Sequence, residues 1–132
     1  METLIITTAI IKREDKFLIA KRAETKKFSP GQWEFISGFM DAPGSAEETI
    51  LREIEEELGA KGQIIKGAAP FSFGDEEGEW VVIPFLVAVE SADIKINPAD
   101  HSELKWVSGT ELLEYPDLEV FLNNEGVRKL LK

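Results

Sequence analysis

The chain has 132 residues, no cysteine and a formal net charge of −10. That length suits a single domain over residues 1–132. The missing thiols exclude disulfides, thiolate zinc sites and a cysteine nucleophile, and the negative surface argues against a nucleic-acid polymer as partner.

Residues 1–12 lack the basic stretch and cleavage site of a signal peptide. Residues 3–12, rich in Ile and Thr, read as a strand. Arg13, Glu14 and Asp15 are turn material, and residues 16–22 read as the returning strand of a hairpin. A loop over residues 23–32 leads to a short strand at 33–36 and a second loop at 37–44. Residues 46–58 read as a helix: Ser45 and Glu48 have the spacing of a capping box, and Gly59 suits a left-handed C-terminal cap. Beyond it, residues 63–66 and 70–73 are extended, and 74–79 form an acidic turn. Residues 80–89 form a nearly continuous apolar strand, as expected of one buried on both faces. That run contains Pro84 and is far shorter than the ~20 residues of a spanning helix, so the expectation is a soluble, cytoplasmic protein with no membrane partner. A loop at 91–102, a strand at 104–107, a short helix capped by Thr110 and a last helix capped by Asn123 or Asn124 complete the chain. Strands on both sides of one central helix, with a second helix at the end, imply a mixed sheet covered by helices on both faces.

On a helical wheel, Ile50, Leu51, Ile54 and Leu58 share one arc and should face the core. Glu53, Glu56 and Glu57 share a second, adjacent arc at spacings of three and four. Each exposed like-charge pair at such spacing costs about 0.2–0.5 kcal/mol. A hard divalent cation removes that repulsion, because carboxylate oxygens are natural ligands of Mg²⁺ or Mn²⁺. On the helix alone, a solvated acidic face accounts for the same run, and the flanking residues decide.

Arg52-Glu53-Ile54-Glu55-Glu56-Glu57-Leu58-Gly59-Ala60 resembles the second half of the Nudix box, Gly38 stands fourteen residues before Arg52 where the box requires its first glycine, and Trp33-Glu34-Phe35 resembles the strand that leads into it. The resemblance to the Nudix hydrolases, and to their small MutT-like members, covers nearly the whole chain. It implies an α/β class, an α/β/α sandwich with a mixed sheet and a loop–helix–loop that binds magnesium, with manganese as a possible substitute, and a diphosphate. It further implies that Glu53, Glu56 and Glu57 are the metal-binding carboxylates, that Arg52 holds a glutamate by a salt bridge, and that a main-chain carbonyl near Ser37 and Gly38 completes the metal shell. Glu103 is the first choice for an assisting carboxylate outside the helix and Asp100 the alternative. Arg22 resembles the phosphate-contacting base, although a strand-end charge explains it equally well. Asn124 is similar in position to a purine-reading asparagine, although a plain helix cap explains it too. Phe28, Phe71, Phe73 and Asn124 are candidates for the base pocket. His101, the one histidine, is read as a loop residue near the site.

Two departures stand out. Gly44 occupies the position where the box expects a glutamate, preceded by Pro43, and Ser37 replaces the glycine before Gly38. Glu47 or Glu48 could replace the lost carboxylate. The expected reaction is cleavage of a nucleoside triphosphate to the monophosphate and pyrophosphate. Hydrolysis of ADP-ribose, a nucleotide sugar or a dinucleoside polyphosphate is a second possibility, and nucleotide binding without turnover a third. The expected partner is a small nucleotide, and the protein a monomer or a homodimer.

Overall fold

Strand β1 (Thr3–Arg13) is the centre of the molecule because its side chains are apolar on both faces: Ala9 and Ile11 face one side and Ile10 the other, all fully buried. The computed structural model describes residues 2–41, 43–89 and 94–132. Glu14, with φ +55°, turns the chain into β2 (Lys16–Arg22), which pairs antiparallel with β1 through Lys12 opposite Phe17. On its other edge β1 runs parallel to β7 (Gly78–Val89) from Thr3 opposite Glu79 to Lys12 opposite Ala88. The predicted apolar strand is therefore internal. Pro84 is tolerated there because it falls between two partners: β5 (Gly62–Gly67) pairs with residues 85–89 of β7, and β6 (Phe71–Asp75) with residues 78–82. At the gap no partner strand asks for the amide hydrogen that proline lacks.

The short strand expected at 33–36 divides into β3 (Trp33–Glu34), on β2, and β4 (Ile36–Phe39), on β1. Ser37 and Gly38, expected in a loop, belong to β4, where they stand opposite Thr8 and Thr7, because main-chain pairing needs no particular side chain. The acidic turn at 74–79 shrinks to residues 76 and 77 for the same reason, its flanks continuing the β6–β7 ladder. Strand β8 (His101–Ser108) begins earlier than expected and pairs antiparallel with β2, so His101 is a strand residue. Of the loop expected at 91–102, residues 91–93 lie outside the described residues. Among the described residues the sheet has eight strands of mixed direction.

Helix α1 (Ala46–Leu58) has the expected limits, with the reciprocal Ser45–Glu48 capping box and Gly59 left-handed at φ +63°. Ile50, Ile54 and Leu58 pack on Ala9, Ile11, Leu18, Ala20, Ile36 and Val87. The opposite face of the sheet carries a 3-10 turn (Glu111–Glu114), α2 (Glu119–Leu122) and α3 (Glu125–Leu130), which bury Leu112, Leu122, Val127 and Leu130 against Ile10, Phe17, Ile19 and Leu86. The architecture is the expected α/β/α sandwich. Two caps resolve differently from each other. Thr110 makes no capping hydrogen bond, because Ser108 and Glu111 form that box instead. Asn124, not Asn123, caps α3 by accepting from the Val127 amide. Among the described residues no helix is long and apolar enough to cross a membrane.

Ile54 has no exposed surface and joins α1 to the sheet. Ile54→Ala is expected to destabilise the protein by about 2–5 kcal/mol through the lost transfer energy and the cavity left behind. The shift of the urea midpoint at constant slope measures it.

Candidate functional site

The capping box and the Gly59 cap fix the start and end of α1, and the Ile50–Ile54–Leu58 stripe fixes its rotation on the sheet. That rotation settles where each glutamate goes. Glu57 turns toward the sheet and is only 8% exposed, whereas the Glu56 side chain is 61% exposed. Glu53 lies between them against β4. A Cβ at Gly38 would stand 2.3 Å from Glu53 Cγ and 2.8 Å from Cδ, so the absent side chain at 38 is what admits the glutamate.

Glu53 and Glu57 are joined by a hydrogen bond. Burial is the main cause that pushes Glu57 up to about 9, reinforced by that hydrogen bond and by the charges of Glu53, Glu34 and Asp100. Burial likewise raises Glu53, opposed by the hydrogen bond from Glu57 and by Arg52. The pair therefore holds a proton at neutral pH. The linkage has a definite sign. Between the ordinary carboxylate value of 4.5 and the folded value of about 9, the native state binds a proton that the unfolded chain has released. The stabilisation is present below the lower value and is lost as pH rises through the higher one. Without metal, the urea midpoint is therefore expected to fall progressively from about pH 5 to about pH 9, and a flat profile across that range would contradict the arrangement.

The other residues fall into place around this pair. Arg52 Nε lies 4.0 Å from Glu56 Oε1 on the exposed side of α1, a pair worth about 0.3–0.5 kcal/mol. The Ser37 hydroxyl meets Thr8 Oγ1 at 2.9 Å. Arg22 is not a free cation: its Nε donates to the Phe28 carbonyl at 2.7 Å, and its Nη1 donates to both Glu34 oxygens at 3.1 and 3.2 Å. Glu34 also meets His101 Nε2 at 2.8 Å. Asp100 bears on the charge of both Glu53 and Glu57, although Lys26 holds it at 2.8 Å. Glu103 is exposed on β8 opposite Lys21, and its charge acts on Lys105. Of the two acids considered, Asp100 is the one whose charge bears on the helix pair.

The two departures also have a physical form. Gly44 has φ +126°, a conformation that a glutamate rarely adopts, so this loop offers no carboxylate there. Glu48 does not replace it, because its Oε1 accepts from the Ser45 amide as part of the helix cap.

A cleft of about 270 Å³ opens at Glu34, Ser37 and Gly38. Arg22, Glu34, Ser37 and Gly38 form one wall, and Phe28, Phe39, Phe73, Trp80, Trp33 and Phe121 supply aromatic surface. Phe28, Phe39 and Trp80 pack together, with ring centroids 5.5–6.0 Å apart. Phe28 and Phe73 line the cleft as expected. Phe71 and Asn124 do not: Phe71 packs against Phe121, and Asn124 is spent on its cap. Residues missed from the sequence are Glu34, Phe39, Trp80, Asp117 and Phe121. Glu34 had a signal, since the neighbouring Phe35 is apolar and alternation sends a strand's neighbours to opposite faces.

A divalent cation suits this donor set. The carboxyls of Glu53 and Glu57 share a hydrogen bond, all their donor atoms are oxygen, and no cationic side chain offsets the charge of Glu57 among the causes that raise it. Among the described residues no three acid or histidine side chains converge on one point, because Glu56 extends into solvent.

The NUDIX domain model matches residues 3–128. The chain is 28% identical to the nucleoside triphosphatase NudI of Escherichia coli O81 (strain ED1a), over 91% of this chain and 92% of that protein. It is similar to the crystal structure of the MutT protein from Methanosarcina mazei Go1, at 27% identity and a TM-score of 0.74, covering 98% of this chain and 90% of that one. It also shares its fold with the NUDIX domain of Shewanella oneidensis NrtR complexed with ADP ribose, at 22% identity and a TM-score of 0.76, covering 100% and 90%.

Proposed function

The chain belongs to the Nudix hydrolase family, and from that premise we propose that it cleaves a nucleoside triphosphate to the monophosphate and pyrophosphate with the help of a divalent cation. The observation that supports this reading is Gly38, which lines the same cleft as Phe28, Phe39 and Trp80 and whose missing side chain admits Glu53 of the carboxylate helix. A base stacked on the rings leaves its phosphates beside α1. The cleft, about 270 Å³, is at the small end of ligand pockets, which run from about 300 to 1,000 Å³. It suits one nucleoside better than the two of a dinucleoside polyphosphate. The related nucleoside triphosphatase supports the same substrate class.

Glu53, Glu57 and, after a side-chain rotation, Glu56 would hold the cation, together with a main-chain carbonyl at Ser37 or Gly38. When bound, Mg²⁺ or Mn²⁺ offsets the charge on the phosphate oxygens and lowers the pKa of water. Arg22 shapes the cleft wall, its guanidinium fixed by Glu34 and the Phe28 carbonyl. Asp100, whose charge bears on Glu53 and Glu57, would be the assisting carboxylate outside the helix. In the overall reaction one phosphoanhydride bond breaks, the oxygen of water ends on phosphorus, and a proton is released.

The test is incubation with Mg²⁺ and a panel of canonical and oxidised nucleoside triphosphates, ADP-ribose, nucleotide sugars and dinucleoside polyphosphates, with products separated by chromatography. Metal-dependent release of pyrophosphate and monophosphate is expected. Ribose 5-phosphate and AMP from ADP-ribose alone would move the assignment to that substrate, and nucleotide binding without turnover would make the protein a binding module.

A further inference from the structure

The single histidine of the chain is buried behind the site, and no step above uses it. Its ring is 1% exposed and stands between two carboxylates from different elements. Nε2 lies 2.8 Å from Oε2 of Glu34 on β3, and Nδ1 lies 3.7 Å from Oε1 of Glu57 on α1. We propose that His101 is a positioning residue that couples the cleft wall at Arg22 and Glu34 to the orientation of the Glu57 carboxyl; this rests on the reading of Glu57 as a ligand of the divalent cation.

Four observations converge on it. First, the groups form an unbroken series of fixed contacts. The Phe28 carbonyl holds Arg22, Arg22 grips both oxygens of Glu34, and Glu34 takes the Nε2 hydrogen of His101. Second, the backbone is adjusted to place these residues together. A register shift between Lys21 and Arg22 sets Arg22 opposite His101 across the β2–β8 ladder, and bulges of this kind re-aim side chains beside sites. Third, a packing role does not call for an imidazole. An apolar side chain fills such a space without the cost of desolvating two ring nitrogens. Fourth, Nδ1 is buried and makes no hydrogen bond. At 3.7 Å it is just beyond hydrogen-bond reach of Glu57. A buried polar atom without a partner is costly, and the group facing this one is the carboxyl read as a ligand of the cation. Partners behind ligands commonly orient them in this way.

Because the chain has one histidine, long-range proton–nitrogen NMR of the full-length ¹⁵N-labelled protein shows a single pair of ring nitrogens. The expected result is an Nε2–H tautomer in the metal-free protein and a displaced Nδ1 resonance at saturating Mg²⁺. Ring nitrogens unmoved by saturating Mg²⁺ would overturn the proposal. Mn²⁺ binding followed by electron paramagnetic resonance gives the second readout. His101→Gln, which keeps a polar group in reach of Glu34, and His101→Leu are each expected to weaken Mn²⁺ binding about tenfold. The same variants should lower kcat by a similar factor and leave KM within about twofold of the parent. A folded His101→Gln protein with parental Mn²⁺ affinity and kcat would sink the coupling, and it decides the matter if the leucine variant fails to fold. Glu57→Gln separates the two levels. Unchanged Mn²⁺ affinity in that variant would remove the ligand reading and the proposal with it, whereas lost affinity there beside unchanged affinity in both His101 variants would remove the proposal alone.

Discussion

Glu57→Gln is expected to reduce kcat by about 10³-fold or more and, in the metal-free protein at pH 8, to raise the melting temperature. The two effects share one cause. Glu57 is 8% exposed and faces Glu53, Glu34 and Asp100, so its ionised form is disfavoured in the fold. An amide of the same shape keeps a hydrogen-bond donor toward Glu53 and carries no charge. At pH 8 folding obliges Glu57 to take up a proton that the unfolded chain has released, and the amide has no such cost, so the variant should gain about 1–3 kcal/mol, or roughly 3–10 °C for a chain of this size. The cation reverses the balance, because it needs the carboxylate that the empty fold disfavours. Mg²⁺ should therefore stabilise the parent protein increasingly as pH rises, and it should stabilise the glutamine variant little. Calorimetry with and without Mg²⁺, beside an assay of pyrophosphate release, reads both effects. A variant that melts below the parent without metal would show that Glu57 contributes to the fold rather than straining it.

How much of this was legible in the chain depended on whether the signal was local. Helix α1 was readable to its limits because its information is in adjacent residues: the Ser45–Glu48 box, the apolar stripe and Gly59. The same periodicity identified the three glutamates but not their unequal depth. Glu57 follows Ile50, Ile54 and Leu58 into the interface with the sheet, and only the rotation of the packed helix shows that. Strand pairing was harder to read. The Ser37–Gly38 segment looks like a loop by composition, yet it joins β1 because its main chain completes a ladder. His101 looked like a loop residue because Pro98, Asp100 and Ser102 surround it, and its strand pairing with Arg22 comes from 79 positions earlier in the chain. The aromatic cleft was the least legible part. Its aromatic lining is drawn from β3, β4, β6, β7, α2 and the loop that follows β2, so no run of sequence announces it.

Gly38→Ala should leave the fold standing and cost about 10²-fold in kcat, because small misplacements of a reacting group have effects of that size. The backbone at residue 38 is ordinary extended strand, so alanine meets no conformational barrier there. The obstacle lies across the interface. The new Cβ would stand 2.3 Å from Cγ, 2.8 Å from Cδ and 3.1 Å from Oε1 of Glu53. Cγ is one bond from the Cβ that the packed helix holds, so the far end of the side chain cannot absorb the clash by itself. Glu53 must change rotamer and leave Glu57, and its carboxylate can be solvated once it does, so the loss of stability should stay near 1 kcal/mol. Without Glu53 beside it, Glu57 also loses one of the charges that raise it. Two measurements therefore move together in the alanine variant: turnover falls, and the metal-free urea midpoint becomes less dependent on pH between about 5 and 9. Parental turnover in Gly38→Ala would mean that Glu53 acts from outside the space it occupies against β4. Lost turnover with an unchanged pH profile would mean that the alanine disturbs the cleft wall and leaves the carboxyl pair intact.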